Sequence, residues 1–226
     1  MEVKLISYSQ VNKEVFEETD VKNIEDIVAY CARVSNPSNQ DNTETNEKLL
    51  KYLIREKHWS PFEMVNVCLE ITTTRDIARQ ILRHRSFSFQ EFSQRYANPL
   101  DDLKSVRREA RLQDTKNRQN SIDTDDNALQ QSWNGQQDLV WLAAVKAYNW
   151  AIDRGIAKEQ ARAVLPEGLI ESRVYVNGTL RSWLHYIDLR EKNGTQKEHM
   201  EIARACADVI TKIFPMGDTY LAPSKR

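Results

Sequence analysis

Residues 64–82, MVNVCLEITTTRDIARQIL, contain two hydrophobic periods, one after the other. In residues 64–72 apolar and polar side chains alternate, which predicts a strand with one buried face. That face carries Val65, Val67, Leu69 and Ile71, whereas Cys68 belongs to the opposite, polar face. From Thr73 onward the apolar spacing becomes that of a helix, and Asp76 three residues later resembles a capping box. We therefore predict a strand followed by a helix that begins at Thr73.

The same two patterns assign elements along the rest of the chain. Alternation predicts strands at 2–8 and 169–176, and apolar residues at helical spacing predict helices at 21–34, about 49–58, 139–152, 158–165, 180–187 and 196–214. Gly155 is expected to close the 139–152 helix, and Thr179 is expected to cap the 180–187 helix. Residues 36–47 form a polar loop, and residues 99–135 show no clear period, which is typical of a surface excursion or a lid. With no repeat and no linker, residues 1–226 are predicted to be one α+β domain with many helices around a small sheet.

The composition excludes several classes of protein. The 32 Lys and Arg nearly cancel the 33 Asp and Glu, so the net charge of -1 lacks the basic excess of a protein that wraps nucleic acid. All six glycines lie at or after Gly135 and are well separated, which rules out a Walker loop and a dinucleotide-binding fingerprint. Arginine outnumbers lysine by 18 to 14, so guanidinium groups are the expected means of holding an anion.

The cysteines and histidines form no metal-binding or disulfide pattern. Cys31, Cys68 and Cys206 are odd in number and include no C-x-x-C pair, which favours reduced thiols in the cytoplasm. The four histidines include no H-x-x-x-H pair, so no metal is predicted, and His199 is expected on the surface of the last helix. The chain shows no signal peptide and no run of about 18 apolar residues, so we expect no membrane association.

The densest group of polar side chains is the segment RHRSFSFQEFSQRY, residues 83–96. Arg79 stands one helical turn before Arg83, and like charges at this spacing repel unless an anion or carboxylate lies between them. Arg95, with Ser93 two residues before it, offers another guanidinium and a hydroxyl. A basic helix end that only faces solvent is the simple alternative. The residues alone therefore leave both an anion site and a solvated helix end open.

Residues 83–95 match the RHR-x7-S-x-R signature of the flavin-dependent thymidylate synthases without a departure. Arg83, His84 and Arg85 are followed after seven residues by Ser93, and after one more residue by Arg95. Four other segments resemble that family: ARVS at 32–35, H-x-S-P-F-E at 58–63, Ala161-Arg162 ahead of Val164-Leu165-Pro166, and NGTLRSWLHYIDLR at 177–190. The resemblance covers nearly the whole chain and is weakest over 99–135. It implies a small, mainly antiparallel sheet packed against several long helices, in a homotetramer.

The resemblance also implies an enzyme that converts dUMP to dTMP. In the family, 5,10-methylenetetrahydrofolate supplies the carbon and FAD, reduced by NADPH, supplies the hydride, and no nucleic-acid polymer or membrane is a partner. The implied FAD site comprises His58, Ser60, Arg83, His84, Arg85, Glu91, Asn177, Arg181 and His185, although some members carry Asn where this chain has His185. The implied dUMP site comprises Gln80, Arg83, Glu91, Ser93, Gln94, Arg95, Arg162 and Arg190, and Arg190 is the catalytic residue that favours ionisation of the uracil at N3.

The chemistry of the residues agrees with these roles. Arg95, Arg162 and the Ser93 hydroxyl suit a nucleotide phosphate, and the RHR segment offers three further donors for the FAD pyrophosphate. A guanidinium such as that of Arg190 stabilises the anion left when uracil N3 loses its proton. Cys68 has no basic neighbour in sequence to lower its pKa, and Ser93 lacks a G-x-S-x-G elbow. A protein nucleophile is therefore not expected.

The last matched segment predicts a site shared between subunits. Arg181 and His185 share a face of the predicted helix, whereas Arg190, nine residues after Arg181, falls half a revolution away. A helix with flavin residues on one side and a uracil residue on the other suggests an active site built from more than one chain.

Two other interpretations remain open at this point. One is a non-enzymatic nucleotide- or single-stranded-RNA-binding module, in which aromatic side chains between basic residues stack on bases; the candidates are Phe87, Phe89, Phe92 and Tyr96. The other is an inactive relative that binds nucleotide for regulation only.

Overall fold

The computed structural model describes residues 1–192 and 194–217 of the chain. Its strands are β1 (Glu2–Tyr8), β2 (Asn66–Thr74), β3 (Ser88–Glu91), β4 (Arg111–Gln113), β5 (Ser121–Asp123) and β6 (Glu171–Thr179). Its α-helices are α1 (Lys13–Glu18), α2 (Ile24–Ala32), α3 (Asn46–Arg55), α4 (Arg75–Ile81), α5 (Pro99–Asp102), α6 (Asn127–Asp153), α7 (Lys158–Ala161), α8 (Leu180–Arg190) and α9 (Lys197–Ile210). Short 3-10 turns cover Pro37–Asn39, Ser60–Met64 and Arg162–Val164.

An antiparallel four-stranded sheet in the order β1-β2-β6-β3 forms the centre of the fold. Buried side chains alternate with less buried ones along both central strands, β2 and β6. Their register places Leu69 opposite Val176 and Ile71 opposite Val174, so branched apolar side chains pair across the strands, which stabilises the sheet. The predicted strands and the antiparallel α+β architecture are confirmed.

The main hydrophobic core combines this sheet with side chains from α2, α3, α4, α8 and α9. Trp183 of α8 is fully buried, and its indole Nε1 donates to the Val67 carbonyl oxygen at 3.0 Å. Phe87 packs on Trp183 with 4.6 Å between ring centroids. A Cβ at position 178 would overlap the Phe87 ring, so only glycine lets β6 pass this close to it.

A second, smaller core lies between α6 and the region of α7. Its buried residues are Leu103, Tyr148, Ala151, Ala161, Leu165 and Ile170. Helix α6 is 27 residues long, and six of its large apolar side chains are exposed: Leu129, Trp133, Leu139, Val140, Leu142 and Trp150. Gly155 follows the helix at φ +74°, which confirms its predicted place as the closing residue. Exposed apolar side chains in this number are typical of a surface that contacts another chain.

Both central strands lead into a helix without a loop. β2 ends at Thr74 immediately before α4, and β6 ends at Thr179 immediately before α8. Thr179 caps α8 as predicted, because its side chain accepts a hydrogen bond from the Ser182 amide. The predicted helix start at Thr73 is wrong, since Thr73 and Thr74 still pair with β6. The Thr74 hydroxyl donates to Asp76 Oδ1 at 2.6 Å rather than capping the helix backbone.

Other boundaries differ from the predictions as well. Helix α4 ends at Ile81, so Arg79 and Arg83 do not share a helical face, and Arg79 instead pairs with Glu167 at 3.2 Å. Helix α9 ends at Ile210 rather than 214. The segment 99–135 contains α5, the β4–β5 hairpin and the start of α6. These elements have no readable period because β4 and β5 are three residues long and the buried residues of α6 begin only at Gln137.

Candidate active site

The residues implied by the family signature fall into three groups on the fold. The first group lies at the ends of α4 and α8 and comprises Gln80, His84 and Arg190. The second group extends from β3 to the turn after α7 and comprises Glu91, Ser93, Gln94, Arg95 and Arg162. The third group lies around the start of α8 and the turns near it, and comprises His58, Ser60, Arg83, Arg85, Asn177, Arg181 and His185.

In the first group, Arg190 and His84 form a direct contact. Arg190 Nε donates to His84 Nε2 at 2.9 Å, and because a guanidinium only donates, that imidazole nitrogen carries no proton. Burial, followed by the charges of Arg190 and Arg83, lowers the pKa of His84 to about 4. His84 is therefore neutral near pH 7 and holds the Arg190 guanidinium by an uncharged acceptor. Helix α8 runs unbroken to Arg190, so the predicted half-revolution between Arg181 and Arg190 holds.

His199 belongs to the same region, and its predicted surface position is wrong. The side chain is fully buried, with Nδ1 3.2 Å from Gln80 Oε1 and Nε2 3.1 Å from the Tyr186 hydroxyl. Burial, followed by the charges of Arg190 and His84, lowers its pKa to about 3. The signal was present in the sequence: His199 precedes Ile202 by three residues and Cys206 by seven, which places it on the buried face of α9.

These two neutral histidines predict a pH-dependent stability. In the unfolded chain histidine titrates near 6.5, whereas in the folded chain the pKa values of His84 and His199 are about 4 and about 3. The unfolded state therefore binds more protons as the pH falls below 6.5, and folding stability is lost. We expect the free energy of unfolding to drop by about 1 kcal/mol per pH unit per histidine, measured by urea denaturation between about pH 7 and about pH 5.

A matched pair of variants tests this origin of the pH dependence. His199→Gln removes one of the histidines whose pKa is lowered and should make the dependence shallower. His58→Gln should leave it unchanged, because His58 is exposed in the structure. An unfolding free energy that does not change over this pH range in the unmodified protein would contradict the prediction.

In the second group, Glu91 has two partners. The Ser172 hydroxyl donates to Glu91 Oε1 at 2.8 Å, and Arg75 Nη1 lies 3.4 Å from the same oxygen. Ser172 and Arg75 are both buried, so Glu91 is anchored from the sheet side. Gln94 is also buried, and its Nε2 has no hydrogen-bond partner within the described residues. A buried amide that lacks a partner is costly unless a ligand accepts its hydrogen bond.

The two arginines of this group meet at one residue. Arg95 Nε lies 3.4 Å from a carboxylate oxygen of Glu159, and Arg162 Nε donates to the Glu159 carbonyl oxygen at 3.3 Å. Ser93 lies close by, since its Oγ accepts a hydrogen bond from the Arg95 amide at 3.4 Å. The fold therefore brings two guanidiniums and a hydroxyl to one place on the surface, with a carboxylate already beside them.

In the third group, Arg181 and His185 contact the 3-10 turn Ser60–Met64 and the residue before it. Arg181 pairs with Glu63, and the His185 ring stands edge-on to Trp59 with 4.6 Å between centroids. Burial, followed by the charge of Arg181, lowers the pKa of His185. The Arg83 and Arg85 side chains are exposed and take part in no ion pair among residues 1–192 and 194–217. Asn177 and the pair His58 and Ser60 are exposed as well.

The surroundings of the three cysteines do not favour a role as nucleophile. Burial raises the pKa of Cys31 and Cys68, and Cys206 is fully buried with its pKa raised further, so none of the thiols is activated. No three His, Cys, Asp or Glu side chains gather as metal ligands in the part of the chain that the structure describes. Nor does any helix there combine the length and the apolar character needed to cross a membrane.

The aromatic residues of the 83–96 segment do not form a stacking platform. Phe87 is buried against Trp183, and Phe89 and Phe92 pack partly buried against the main and second cores. Tyr96 alone of the four is open, with 79% of its surface exposed. Single-strand binding requires aromatic faces that bases can reach, so the structure does not support a nucleic-acid-binding module.

The clearest cavities among the described residues do not enclose the predicted site residues. Five such cavities have volumes from about 470 to about 600 Å³. They are lined by residues outside all three groups. None of these five cavities joins the three groups within one chain.

The fold is similar to that of a solved pyrimidine nucleotide methylase. A crystal structure of the UMP/dUMP methylase PolB from Streptomyces cacaoi, bound with 5-Br dUMP, superposes with a TM-score of 0.76. The two chains are 22% identical, and the match covers 97% of this chain and 93% of the other. At this level of identity the likeness concerns the fold.

Sequence comparison then gives the family. A family model described as thymidylate synthase complementing protein matches residues 14–216. A probable flavin-dependent thymidylate synthase of Paramecium bursaria Chlorella virus 1 is 49% identical over 215 residues, covering 95% of this chain and 96% of that protein. The flavin-dependent thymidylate synthase of Synechocystis sp. is 48% identical over 215 residues with the same coverage. The chain belongs to the flavin-dependent thymidylate synthase family, which confirms the resemblance seen in RHR-x7-S-x-R.

Proposed function

We propose that this protein catalyses the reductive methylation of dUMP to dTMP, with 5,10-methylenetetrahydrofolate as the carbon donor and FAD reduced by NADPH as the hydride source. The observation that carries the proposal is the contact of Arg190 with the neutral His84. It places a rigidly held guanidinium next to the family signature, where a uracil anion needs stabilising charge.

The residues present suit FAD. Arg83 and Arg85 are exposed cations outside the ion pairs of the described chain, and they are adjacent to His84. Such cations fit the two phosphates of a pyrophosphate, which no glycine loop is present to hold. Arg181, His185, His58, Ser60 and Asn177 would complete the site, with Glu91 between flavin and nucleotide. Bound and reduced, FAD would supply the hydride.

The dUMP site would extend from Glu159 to Arg190. The nucleotide phosphate would take the place that the Glu159 carboxylate now occupies beside Arg95, with Arg162 and Ser93 as further donors. Gln94 Nε2, buried without a partner, would donate to the nucleotide. Arg190 and Gln80 would contact the uracil, and Arg83 would lie between the two ligands. Burial raises the pKa of the Cys68 thiol, which supports a reaction without a protein nucleophile.

The assembly would be a homotetramer that works in the cytoplasm. The exposed apolar side chains of α6 and the cavity of about 590 Å³ beside Trp150 and Val164 offer an apolar surface for a second copy of the chain. The absence of the three groups from the five cavities described above supports an active site completed by a neighbouring subunit, with Arg95 and Arg190 of each site coming from different chains.

Purified holoenzyme tests the function and the shared site together. It should absorb visible blue light through bound flavin and release tritium from [5-³H]dUMP only when NADPH and the folate are present. Mixing Arg190→Ala with Arg95→Ala subunits should restore activity, because some sites then receive both native arginines. Mixing Arg190→Ala with His84→Ala should not, since these two residues contact each other within one chain. A colourless protein without tritium release would refute the function, and no recovery in the first mixture would refute the shared site.

A further inference from the structure

A partly buried row of hydrogen bonds joins the start of α9 to the end of α4. It begins at Glu198, whose Oε2 accepts from Gln196 Nε2 at 2.9 Å. Gln196 Oε1 accepts from Gln80 Nε2 at 2.8 Å, and Gln80 Oε1 lies 3.2 Å from His199 Nδ1. The row ends where His199 Nε2 meets the Tyr186 hydroxyl at 3.1 Å.

Glu198 sets the direction of every bond in this row. Burial raises the pKa of this carboxyl, but the hydrogen bond from Arg111 and the charge of Arg108 outweigh burial and leave its pKa lowered. An ionised carboxylate only accepts, so Gln196 must donate with its amide nitrogen and accept with its oxygen. Gln80 must then donate to Gln196 and accept from His199 Nδ1–H, which leaves His199 Nε2 to accept from Tyr186. Turning either amide around would place two acceptors against each other.

The anchor of the row lies in the 99–135 segment. Arg108 Nη1 is 3.2 Å from Glu198, Arg111 also pairs with Glu198, and Arg108 Nη2 is 2.7 Å from Asp76. Both arginines are largely buried. Arg108 and Arg111 of the 99–135 segment therefore hold the Glu198 carboxylate, which orients Gln80.

We propose that His199 is a positioning residue that locks the Gln80 carboxamide with its nitrogen as the donor, and thereby makes the site select a pyrimidine with a carbonyl rather than an amino group. The proposal rests on the proposed function, in which Gln80 contacts the uracil. Gln80 Nε2 carries two hydrogens, of which Gln196 uses one, so the second N–H is free to donate to a ligand while the Gln80 oxygen is directed at His199. If the Gln80 amide were free to flip, its oxygen could face the ligand and accept equally well from an amino group.

Two near-isosteric variants of the holoenzyme separate this role from a structural one. In His199→Asn the amide nitrogen takes about the place of Nδ1, so the donor to Gln80 is kept. In His199→Gln the amide reaches the place of Nε2, so the contact with Tyr186 is kept and the donor to Gln80 is lost. The probes are dUMP and dCMP, whose affinities are read from the change in flavin absorbance on titration.

The two variants should differ in selectivity. We expect His199→Gln to reduce the preference for dUMP over dCMP about 5- to 10-fold and to raise the KM for dUMP by a similar factor, with His199→Asn close to the unmodified protein. Gln196→Leu, which leaves His199 in place and removes the acceptor for Gln80, should show the same loss and keeps the test valid if a His199 variant does not fold.

The outcomes distinguish the two proposals. A preference unchanged in both His199→Gln and Gln196→Leu, or lost equally in His199→Asn and His199→Gln, would overturn the role of His199 while leaving the enzyme activity in place. Absence of dUMP-dependent activity in the unmodified holoenzyme would instead overturn the proposed function.

Discussion

Replacing Arg190 with alanine should lower kcat by about 10²- to 10³-fold, the loss typical of removing one donor from a developing anion. The guanidinium is held by the neutral His84, so in the proposed mechanism it would already be in place before the uracil loses its N3 proton. Its stabilising charge is realised mainly in the reaction itself, and the effect should therefore fall on kcat more than on KM. Steady-state tritium release from [5-³H]dUMP measures both constants.

Two control variants define what the Arg190 result means. Arg190→Lys keeps a positive charge but loses the planar fork, and should retain part of the activity. Lys192→Ala removes an exposed cation two residues further on, paired with Asp188 at 2.7 Å, and should leave kcat nearly unchanged. If Arg190→Ala kept kcat within a few-fold, the guanidinium would have no part in the ionisation of the uracil.

Replacing Arg162 with alanine should raise the KM for dUMP about 10- to 100-fold, the range for losing a charge-assisted hydrogen bond to phosphate. Arg162 and Arg95 both contact Glu159, and that shared position is where the phosphate would bind. Because the phosphate does not react, its binding contributes equally before and during the reaction, so kcat should change little. Kinetics with dUMP over a wide concentration range measure the two constants separately.

Deoxyuridine, which lacks the phosphate, provides the control for this variant. The unmodified enzyme should prefer dUMP to deoxyuridine by kcat/KM, and Arg162→Ala should lose much of that preference while keeping its activity on deoxyuridine. Arg154→Ala removes an exposed arginine that stacks on Trp150 and should keep the preference. Equal losses on both substrates in Arg162→Ala would show damage to the fold rather than to phosphate recognition.

Sequence periodicity predicted the central elements because their burial is one-sided. β2 and β6 each bury alternate side chains, and the stripe of α8 from Leu180 to Ile187 is buried as its spacing indicates. The signature residues were found by their pattern, not by burial. The structure then showed that Arg190 reaches His84 and that Arg95 reaches Glu159, contacts between residues far apart in sequence that no local pattern encodes.

The missed features have physical reasons as well. His199 looked polar, but its two ring nitrogens are satisfied inside the core by Gln80 and Tyr186, so burial costs little. Glu159 and Glu198 are acidic residues in polar stretches, and only their tertiary partners, arginines from distant segments, give them a role. The start of α6 was missed because its first turns bury almost nothing.

The direct passage from strand to helix at Thr74 and at Thr179 has a consequence for how this chain can change during evolution. One residue added within β2 or β6 would move the following strand residues to the other face and turn the attached helix by about 100°. His84 or Arg190 would then leave its partner, and no loop is present at either junction to absorb the shift. The turn between β4 and β5 is free of this constraint because it joins two short, exposed strands. Homologues should therefore differ in length at that hairpin and keep both junctions at constant length, varying there by substitution alone.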